Sequence, residues 1–289
     1  MSSTLIQRLC IIGVGLIGGS LARALRQAGV VEEIIGVGRD QQHLEQAKQL
    51  GVIDQWTTDI SEAIQNADMI VVAVPMLAMG SVFEQLKDVL AEDCVITDVG
   101  SAKAQAVAAA EKAFGKMPVN FVPGHPIAGT EKSGVEASFA ELFNDRRIIL
   151  TPTESTSKHA LNKVRDMWLA CGAEVLEMDV QHHDEVLAAT SHLPHMLAYA
   201  LVDTLARMDD SQEIFSYAAG GFRDFTRIAS SDPDMWHDIC LANREALLGM
   251  MRRFKDDLQL LIDAIEQGDS EFLKQTFTRA KQARDTYTD

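Results

Sequence analysis

The feature that most constrains this chain is a glycine-rich turn between an apolar run at residues 9–12 and a helical pattern at residues 20–28. Its glycines, Gly13, Gly15 and Gly18, have the spacing that permits a tight turn, a close approach of the backbone to a phosphate and close helix–strand packing. Leu16 and Ile17 complete the motif and open the helix, whose N-terminus presents N–H donors. Because a second apolar run follows at residues 34–37, the motif predicts a dinucleotide site rather than a turn without a ligand.

Apolar runs alternate with helical patterns through the first part of the chain. The predicted strands span residues 9–12, 34–37, 69–74, 94–99, 119–122 and 147–150, with a weaker one at 174–178, and helices are predicted at 20–28, 43–50 and 81–90. Most of the runs are nearly continuous in apolar residues, as expected for strands covered on both faces. This alternation predicts an α/β Rossmann domain, with a doubly wound and mainly parallel sheet, over residues 1–179.

The pattern changes after residue 179, where only helical periodicity continues to the C-terminus. An all-α domain is therefore predicted over residues 180–289, and it is expected to contribute to substrate binding. Helical regions of this kind often pack against a second copy of the chain, so a homodimer is expected. A monomeric helical cap is the alternative.

Composition and charge exclude several kinds of partner and location. The formal net charge is −16, with 42 acidic against 26 basic residues, which is unlike a nucleic-acid-binding surface. No run reaches the ~18 uninterrupted apolar residues of a membrane span, and the residues before the first strand do not resemble a signal peptide. The four cysteines, at positions 10, 94, 171 and 240, form no CxxC pair, which favours a reducing, cytoplasmic location.

The choice between NADP and NAD depends on the end of the second predicted strand. NAD-binding domains usually carry an acid about 20 residues after the third glycine, where it holds the ribose 2′-hydroxyl. Here that position is Gly38, followed by Arg39. An arginine without a neighbouring acid suits a 2′-phosphate, which favours NADP. Asp40 weakens this inference, because a small shift would place it on the ribose, and an Arg39 that stacks on the adenine would leave both cofactors usable.

Two later loops, at residues 98–103 and 124–134, are expected at the carboxyl ends of parallel strands, where open α/β sheets bind ligands. His125 lies among glycines and prolines rather than on an apolar helix face, where a core histidine would be the default interpretation. It is therefore the first candidate for a general acid or base. Ser101 is expected to orient its proton, and Val74 and Pro75 are expected to contact the cofactor.

The helical part is interrupted at residues 191–195, where His192 and His195 flank Pro194. Packing, with a hydrogen-bonding group freed by the proline, is the simplest interpretation of both histidines. A metal site formed with residues 182–184 is disfavoured, since no recognised ligand spacing is present. No metal is expected.

Arg223 and Arg227 are four residues apart, so on a helix they share a face. Their neighbours at positions 222, 225, 228 and 229 are apolar, which predicts a partly buried setting rather than a surface ion-pair face. A buried arginine needs an anion, and a substrate carboxylate, bound by two parallel hydrogen bonds, is the expected partner.

These motifs together resemble those of the prephenate and arogenate (cyclohexadienyl) dehydrogenases. The resemblance runs from residue 11 to residue 236 and includes the GVGLIG turn, the DVGSAK loop, SHLPH and SDPDMW. The strings HPIAGTEKSG and GFRDFTRIA are far more specific than the glycine turn. Members of that family have a Rossmann domain followed by a helical dimerisation domain, which agrees with the change of pattern near residue 179.

The resemblance implies an oxidative decarboxylation in tyrosine biosynthesis. A cyclohexadienol loses hydride from C4 to the nicotinamide of NAD(P) and CO2 from C1, and aromatisation drives the reaction. By resemblance, His125 accepts the proton of the 4-hydroxyl, and Ser101 contacts this hydroxyl and the nicotinamide. The substrate-binding residues that it implies are Arg227 for a carboxylate, His192 in the pocket, and Thr130 and Glu131 beside the substrate side chain.

Substrate and cofactor stay open at this point. Prephenate and arogenate differ only in the side chain, and an extra carboxylate such as Glu131 would favour the ammonium of arogenate, with use of both as a middle position. Some family members carry an acid at the position of Gly38. Others carry a regulatory domain or a fused chorismate mutase, neither of which is expected here, so feedback by tyrosine would act by direct competition at the active site.

Two other functions compete with this interpretation. A Rossmann-plus-helical dehydrogenase of the β-hydroxyacid or pyrroline-carboxylate-reductase kind would rely on a lysine, or on no base, in its helical half, whereas His125 lies in the Rossmann half. A non-enzymatic NAD(P)-sensing module would not need His125, Ser101 and Arg227 to converge.

Overall fold

The computed structural model describes residues 4–287. Six parallel strands form the central sheet: β1 (Ile6–Ile12), β2 (Val31–Val37), β3 (Gln55–Thr57), β4 (Met69–Val72), β5 (Val95–Asp98) and β6 (Phe121–Val122). Their spatial order is β3-β2-β1-β4-β5-β6. This is the strand order of a dinucleotide-binding fold, in which ligands bind where the order reverses between β1 and β4. The predicted Rossmann fold is confirmed.

Helices cover both faces of this sheet. They are α1 (Leu16–Ala28), α2 (Gln41–Gln49), α3 (Ile60–Ala63), α4 (Met79–Leu86), α5 (Lys103–Phe114) and α6 (Lys158–Ala170). Successive side chains of a strand point to opposite faces. In β1, accordingly, Leu9 and Ile11 belong to one apolar cluster, and Cys10 and Ile12 belong to the other. Burial on both faces explains why the strand sequences are continuously apolar.

A second sheet has three strands, β7 (Gly124–Pro126), β8 (Arg147–Leu150) and β9 (Glu174–Glu177). Strand β7 is antiparallel to β8, and β8 is parallel to β9. The predicted runs at 147–150 and 174–178 are therefore strands, but they do not extend the main sheet. Sequence patterns missed β3 because it is short and polar, and they missed β7 because its glycine and proline indicate a loop.

All described elements after β9 are helical, as predicted. They are α7 (Val180–Leu187), α8 (Leu193–Ala206), α9 (Ser211–Ser216), α10 (Gly220–Thr226), α11 (Pro233–Ala242), α12 (Arg244–Gln267) and α13 (Ser270–Tyr287). A π-helical segment, Ala188–His192, joins α7 to α8. Such insertions are frequent at functional sites.

Contacts divide the chain into two compact units, Met1–Arg244 and Glu245–Asp289. This division differs from the boundary at residues 179 and 180, which follows the change in secondary structure and stays a prediction. Within residues 4–287, no helix combines the length and the apolar character needed to cross a membrane.

Candidate active site

The glycine turn joins β1 to α1 and leaves space at the N-terminus of the helix. Gly13 has φ +102°, and a Cβ at Gly13 would collide with the carbonyl oxygen of Ala73. A Cβ at Gly18 would collide with the carbonyl oxygen of Gly13, whereas nothing lies within 4 Å of the Cβ position of Gly15. Among the described residues no side chain caps α1. The open helix N-terminus beside Gly15 fits the pyrophosphate of a dinucleotide.

Val74 and Pro75 follow β4 beside this turn, and Leu16 and Ile17 form the first turn of α1. The side chain of Val74 lies 3.3 Å from the position that a Cβ of Gly13 would occupy. The structure therefore brings the predicted cofactor residues of β4 next to the glycine turn.

The two charged residues that follow β2, Arg39 and Asp40, have different surroundings in the structure. Asp40 caps α2, because its Oδ1 accepts hydrogen bonds from the backbone N–H groups of Gln42 at 2.9 Å and His43 at 3.3 Å. The ring Nε2 of His43 lies 2.8 Å from the carbonyl oxygen of Val14, which ties α2 to the glycine turn. Arg39 is exposed, and no partner for it is found within residues 4–287.

A buried ion pair joins the two loops that carry Ser101 and His125. Asp98 and Lys103 are fully buried and paired. The carboxylate of Asp98 also accepts hydrogen bonds from the backbone N–H groups of Gly100 at 2.8 Å and Gly124 at 3.2 Å. Lys103 Nζ donates to the carbonyl oxygen of Gly124 at 2.6 Å. These contacts hold the start of α5 against β7, the strand that contains His125.

His125 lies in β7 and makes its side-chain contact with the helical part. Its Nδ1 lies 2.9 Å from Nε2 of His183, and Nδ1 of His183 lies 2.8 Å from Oδ1 of Asp184. Asp184 in turn accepts hydrogen bonds from the backbone N–H groups of Lys103 at 2.7 Å and Ala104 at 2.9 Å, at the N-terminus of α5. We call this chain of contacts, His125–His183–Asp184, the histidine relay.

Burial and charge favour the neutral form of His125. Burial, with the neighbouring His183 and the cation of Lys103, lowers the pKa of His125 well below its ordinary value. Burial opposes ionisation of Asp184, but the hydrogen bonds from His183 and from the N-terminus of α5 outweigh it and lower the pKa of Asp184. A neutral imidazole beside a fixed carboxylate can accept a proton at neutral pH.

Ser101 and Thr130 are not bonded to His125. Ser101 lies half-buried just before α5, and among the described residues its hydroxyl has no hydrogen bond with the imidazole. The hydroxyl of Thr130 forms a local turn with the backbone of Lys132. The expected orienting group of His125 is thus replaced by His183, because β7 turns Nδ1 towards α7.

Arg223 and Arg227 are exposed, so the predicted partly buried setting is wrong. Helix α10 ends at Thr226, and Arg227 begins a short 3-10 turn with 64% of its side chain exposed. Phe225, which suggested burial, is itself 47% exposed. The guanidinium of Arg227 pairs with the carboxylate of Glu131. Two residues predicted to bind substrate are therefore in contact with each other.

His192 ends the π-helical segment and is almost fully buried. Its Nδ1 lies 3.1 Å from the amide nitrogen of Asn243, which also donates to the carbonyl oxygen of Asp184 at 2.8 Å. Burial lowers the pKa of His192 to about 4. Asn243 therefore links His192 to Asp184 of the histidine relay.

His195 packs against Trp236, whose ring also lies edge-on to His192. The ring of His195 stacks on Trp236, with centroids 3.7 Å apart, and its Nδ1 contacts the carbonyl oxygen of Ser191 at 2.8 Å. Within residues 4–287, no group of three or more histidine, cysteine or acidic side chains is arranged to hold a metal ion.

Comparison with known families agrees with this geometry. Residues 21–177 match the model of the prephenate dehydrogenase nucleotide-binding domain, and residues 179–279 match that of the prephenate dehydrogenase dimerization domain. The chain belongs to the prephenate dehydrogenase family. Prephenate dehydrogenases and their cyclohexadienyl and arogenate relatives are oxidoreductases of tyrosine biosynthesis, and this chain is a nicotinamide-dependent dehydrogenase of that group.

Three relatives match this chain along almost their whole length. A cyclohexadienyl dehydrogenase from Zymomonas mobilis is 38% identical over 97% of this chain and 96% of its own. A crystal structure of prephenate dehydrogenase from Aquifex aeolicus, in complex with hydroxyphenyl propionate and NAD+, is 39% identical with a TM-score of 0.90, covering 97% of this chain and 98% of that one. An arogenate dehydrogenase from Synechocystis is 29% identical with a TM-score of 0.81, covering 98% of this chain and 100% of that one.

Several residues of this family member were not singled out from the sequence. The sequence indicates His183 and Asp184 only as parts of a disfavoured metal site, and it gives no signal for Asn243. The one available signal was the juxtaposition of a histidine and an acid at the start of α7. Sequence alone does not show that this helix end lies against β7 and α5.

Proposed function

We propose that this chain catalyses the oxidative decarboxylation of prephenate, arogenate or both, to 4-hydroxyphenylpyruvate or tyrosine. The observation that carries the proposal is a buried imidazole, His125, held by the carboxylate of Asp184 through His183. Such a base suits a reaction in which a hydroxyl must lose its proton as hydride leaves the same carbon.

In the proposed reaction, His125 Nε2 accepts the proton of the substrate 4-hydroxyl as that carbon becomes a carbonyl. A nicotinamide bound at the glycine turn would supply the hydride acceptor. Breaking the bond between C1 and the carboxylate releases CO2, and its electron pair enters the ring, which becomes a phenol after the proton returns to oxygen. The protein has to hold C4 of the substrate towards the nicotinamide, so this part of catalysis depends on positioning the substrate.

The substrate-binding residues are also proposals. Arg227 would exchange its contact with Glu131 for a substrate carboxylate, as a guanidinium binds carboxylates well. His192 is linked to Asp184 of the histidine relay through Asn243, which supports a place in the substrate pocket. Ser101 would contact the substrate hydroxyl, and Thr130 would lie beside the substrate side chain with Glu131.

The test of the proposed function is a set of four rates. Reduction of NADP and of NAD would be followed by the absorbance of the reduced nicotinamide, with prephenate and then with arogenate. Reduction with either substrate supports the proposal. No reduction in any of the four mixtures, from protein shown to be folded by circular dichroism, would contradict it.

Use of both substrates is the proposed specificity. Once Arg227 binds the substrate, the Glu131 carboxylate would attract the ammonium of arogenate, but the Glu131 side chain is 40% exposed, so solvent screens this attraction. Prephenate and arogenate should therefore give kcat/KM values within about tenfold of each other, since an exposed ion pair contributes only about 0–1 kcal/mol.

Replacing Arg227 with alanine should raise the substrate KM about 10- to 100-fold and change kcat little, because a hydrogen bond to a charged group contributes about 1.5–3 kcal/mol. Steady-state kinetics with saturating cofactor would measure both constants. The control is Arg223→Ala, four residues earlier on α10 and also exposed. An unchanged KM in the Arg227 variant would assign Arg227 to structure.

NADP is the preferred cofactor in this proposal. The exposed guanidinium of Arg39 is available for a 2′-phosphate, while the Oδ1 of Asp40 is engaged in capping α2. The negative charge of Asp40 nevertheless stays at this edge of the sheet. The preference for NADP over NAD should therefore be moderate.

The cofactor proposal predicts a selective effect at Arg39. Arg39→Ala should lower kcat/KM for NADP about tenfold, by the loss of one charge-assisted hydrogen bond, and leave kcat/KM for NAD almost unchanged. Lys48→Ala, at the exposed far end of α2, is the matched control. Equal losses with both cofactors would favour stacking of Arg39 on the adenine instead.

The proposed location is cytoplasmic, which the four separate, unpaired cysteines support. The proposed assembly is a homodimer formed through a helical domain at residues 180–289. The dimerization-domain match covers residues 179–279. Helix α12 carries exposed apolar side chains at helical spacing: Leu248, Met251, Phe254, Leu258, Ile262 and Ile265. An exposed apolar stripe of this length is typical of an interface.

Acidic side chains introduced into the exposed apolar stripe of α12 should therefore weaken the dimer. Phe254→Glu combined with Leu258→Glu should shift the chain from dimer to monomer, as measured by size-exclusion chromatography with light scattering. Arg253→Glu places an acid on the opposite side of the same helix and should leave the dimer intact. A monomeric wild-type chain would contradict the proposed assembly.

A further inference from the structure

In each of two histidines, His125 and His192, one ring nitrogen is bound to the protein, and no partner for the other is found within residues 4–287. In His125 the bound nitrogen is Nδ1, 2.9 Å from His183. In His192 it is also Nδ1, 3.1 Å from Asn243. A neutral imidazole donates from one nitrogen and accepts at the other. The partner of Nδ1 therefore determines whether Nε2 carries a hydrogen or a lone pair.

The partner of His192 is a hydrogen-bond donor. Asn243 faces the carbonyl oxygen of Asp184 at 2.8 Å. Because a carbonyl oxygen can only accept, the atom of Asn243 that faces it must be the NH2 nitrogen. The same nitrogen faces Nδ1 of His192, so Nδ1 accepts its second hydrogen. The hydrogen of His192 then lies on Nε2.

The partner of His125 is a hydrogen-bond acceptor. The Asp184 carboxylate already accepts two backbone N–H groups of α5 and can only accept from Nδ1 of His183. With its hydrogen on Nδ1, neutral His183 presents a lone pair at Nε2. Nδ1 of His125 must then donate, which leaves its lone pair on Nε2.

We propose that Asp184 and Asn243 hold the two site histidines in opposite tautomers, with a lone pair on Nε2 of His125 and a hydrogen on Nε2 of His192. His183, Asp184 and Asn243 are positioning residues in this inference, which rests on the proposed function for its catalytic meaning. One imidazole is set to accept the substrate proton and the other to donate a hydrogen bond to a substrate oxygen.

The same arrangement stabilises the charge that proton transfer creates. When Nε2 of His125 takes a proton, the resulting imidazolium still donates from Nδ1 to His183. The Asp184 carboxylate lies one imidazole further on, and its negative charge acts against the repulsion from Lys103. Asp184 serves both histidines, since its side chain orients His183 and its carbonyl oxygen orients Asn243.

The test is nitrogen-15 NMR of the full chain labelled at histidine, with and without NADP. Ring nitrogens that carry hydrogen and those that carry a lone pair give separate signals, and the His125→Asn and His192→Asn variants assign them. We expect hydrogen on Nδ1 in His125 and on Nε2 in His192. Finding the same tautomer in both histidines would overturn the proposal without any further variant.

Variants test the positioning roles separately. His183→Phe should give a mixture of His125 tautomers and lower kcat at least about tenfold, since loss of the group that fixes a catalytic tautomer costs up to about 10⁴-fold. The KM for cofactor should not change. Asn243→Leu should alter the His192 signals and leave those of His125 unchanged. His182→Phe, on the exposed side of the same helix, is the control and should match wild type.

The outcomes separate this proposal from the proposed function. An unchanged His125 signal in His183→Phe overturns the relay, even if prephenate or arogenate is oxidised normally. His183→Asn, which is smaller and keeps a donor for Asp184, provides the same comparison if the phenylalanine variant does not fold. Opposite tautomers in a chain that reduces no cofactor in the four assays would leave this inference standing and remove the proposed reaction.

Discussion

Replacing His125 with asparagine should lower kcat about 10²- to 10⁴-fold, the usual contribution of a positioned general base. Asparagine is similar in size and keeps a donor for the contact with His183, but it cannot accept a proton from the substrate. The KM for cofactor should stay within about threefold of wild type, because the glycine turn that binds the dinucleotide is not altered. Steady-state kinetics with prephenate and arogenate would measure both constants.

The control for this variant is His159→Asn, a histidine exposed on α6. It should have wild-type kinetics. If His125→Asn retains near-normal turnover, His125 is not the base, and the proposed mechanism fails even though the family assignment stands.

Replacing Asp98 with asparagine should reduce the free energy of unfolding by about 3–5 kcal/mol, since breaking one partner of a buried ion pair leaves an uncompensated charge. Lys103 is fully buried and pairs with Asp98. The NH2 group of the new asparagine would also face the backbone N–H of Gly100 or Gly124, each of which donates a hydrogen bond to the carboxylate of Asp98. Urea unfolding followed by circular dichroism would measure the change.

Two further variants make this prediction specific. Asp203→Asn removes an exposed partner of Arg207 on α8 and should change the free energy of unfolding by less than about 0.5 kcal/mol. The double variant Asp98→Asn, Lys103→Met should recover part of the loss, because it removes the unpaired cation. If the single variant is as stable as wild type, the ion pair does not hold the two loops.

The Rossmann fold was predictable because its signals are local. The glycine turn and the apolar strands are readable from a few consecutive residues, and the structure confirms them in the order of a doubly wound sheet. Strand β7 was not predictable, because its pairing with β8 is a tertiary contact that outweighs the loop preference of Gly124 and Pro126. The predicted burial of Arg227 was wrong, since apolar neighbours in sequence do not determine the exposure of a short helix.

The candidate site was predictable only in part, for a similar reason. His125 stood out by its sequence context, and its part in catalysis stays a prediction. The contact with His183 depends on how α7 meets β7 and α5, across 58 positions of sequence. A pattern in consecutive residues does not indicate a contact between positions that far apart in the sequence. The residues that sequence analysis missed are those whose role depends on packing between distant elements.

The cap that Asp184 supplies to α5 also bears on protein engineering. The first turn of α5, which follows Ser101, has its N–H groups bound by a residue of α7 rather than by its own sequence. A fragment ending at residue 179 would therefore lose both this cap and the partner of His125. Chimaeras that join the nucleotide-binding half of one homologue to the helical half of another should be more active when the crossover preserves residues 183 and 184 together with α5 and β7 from the same parent.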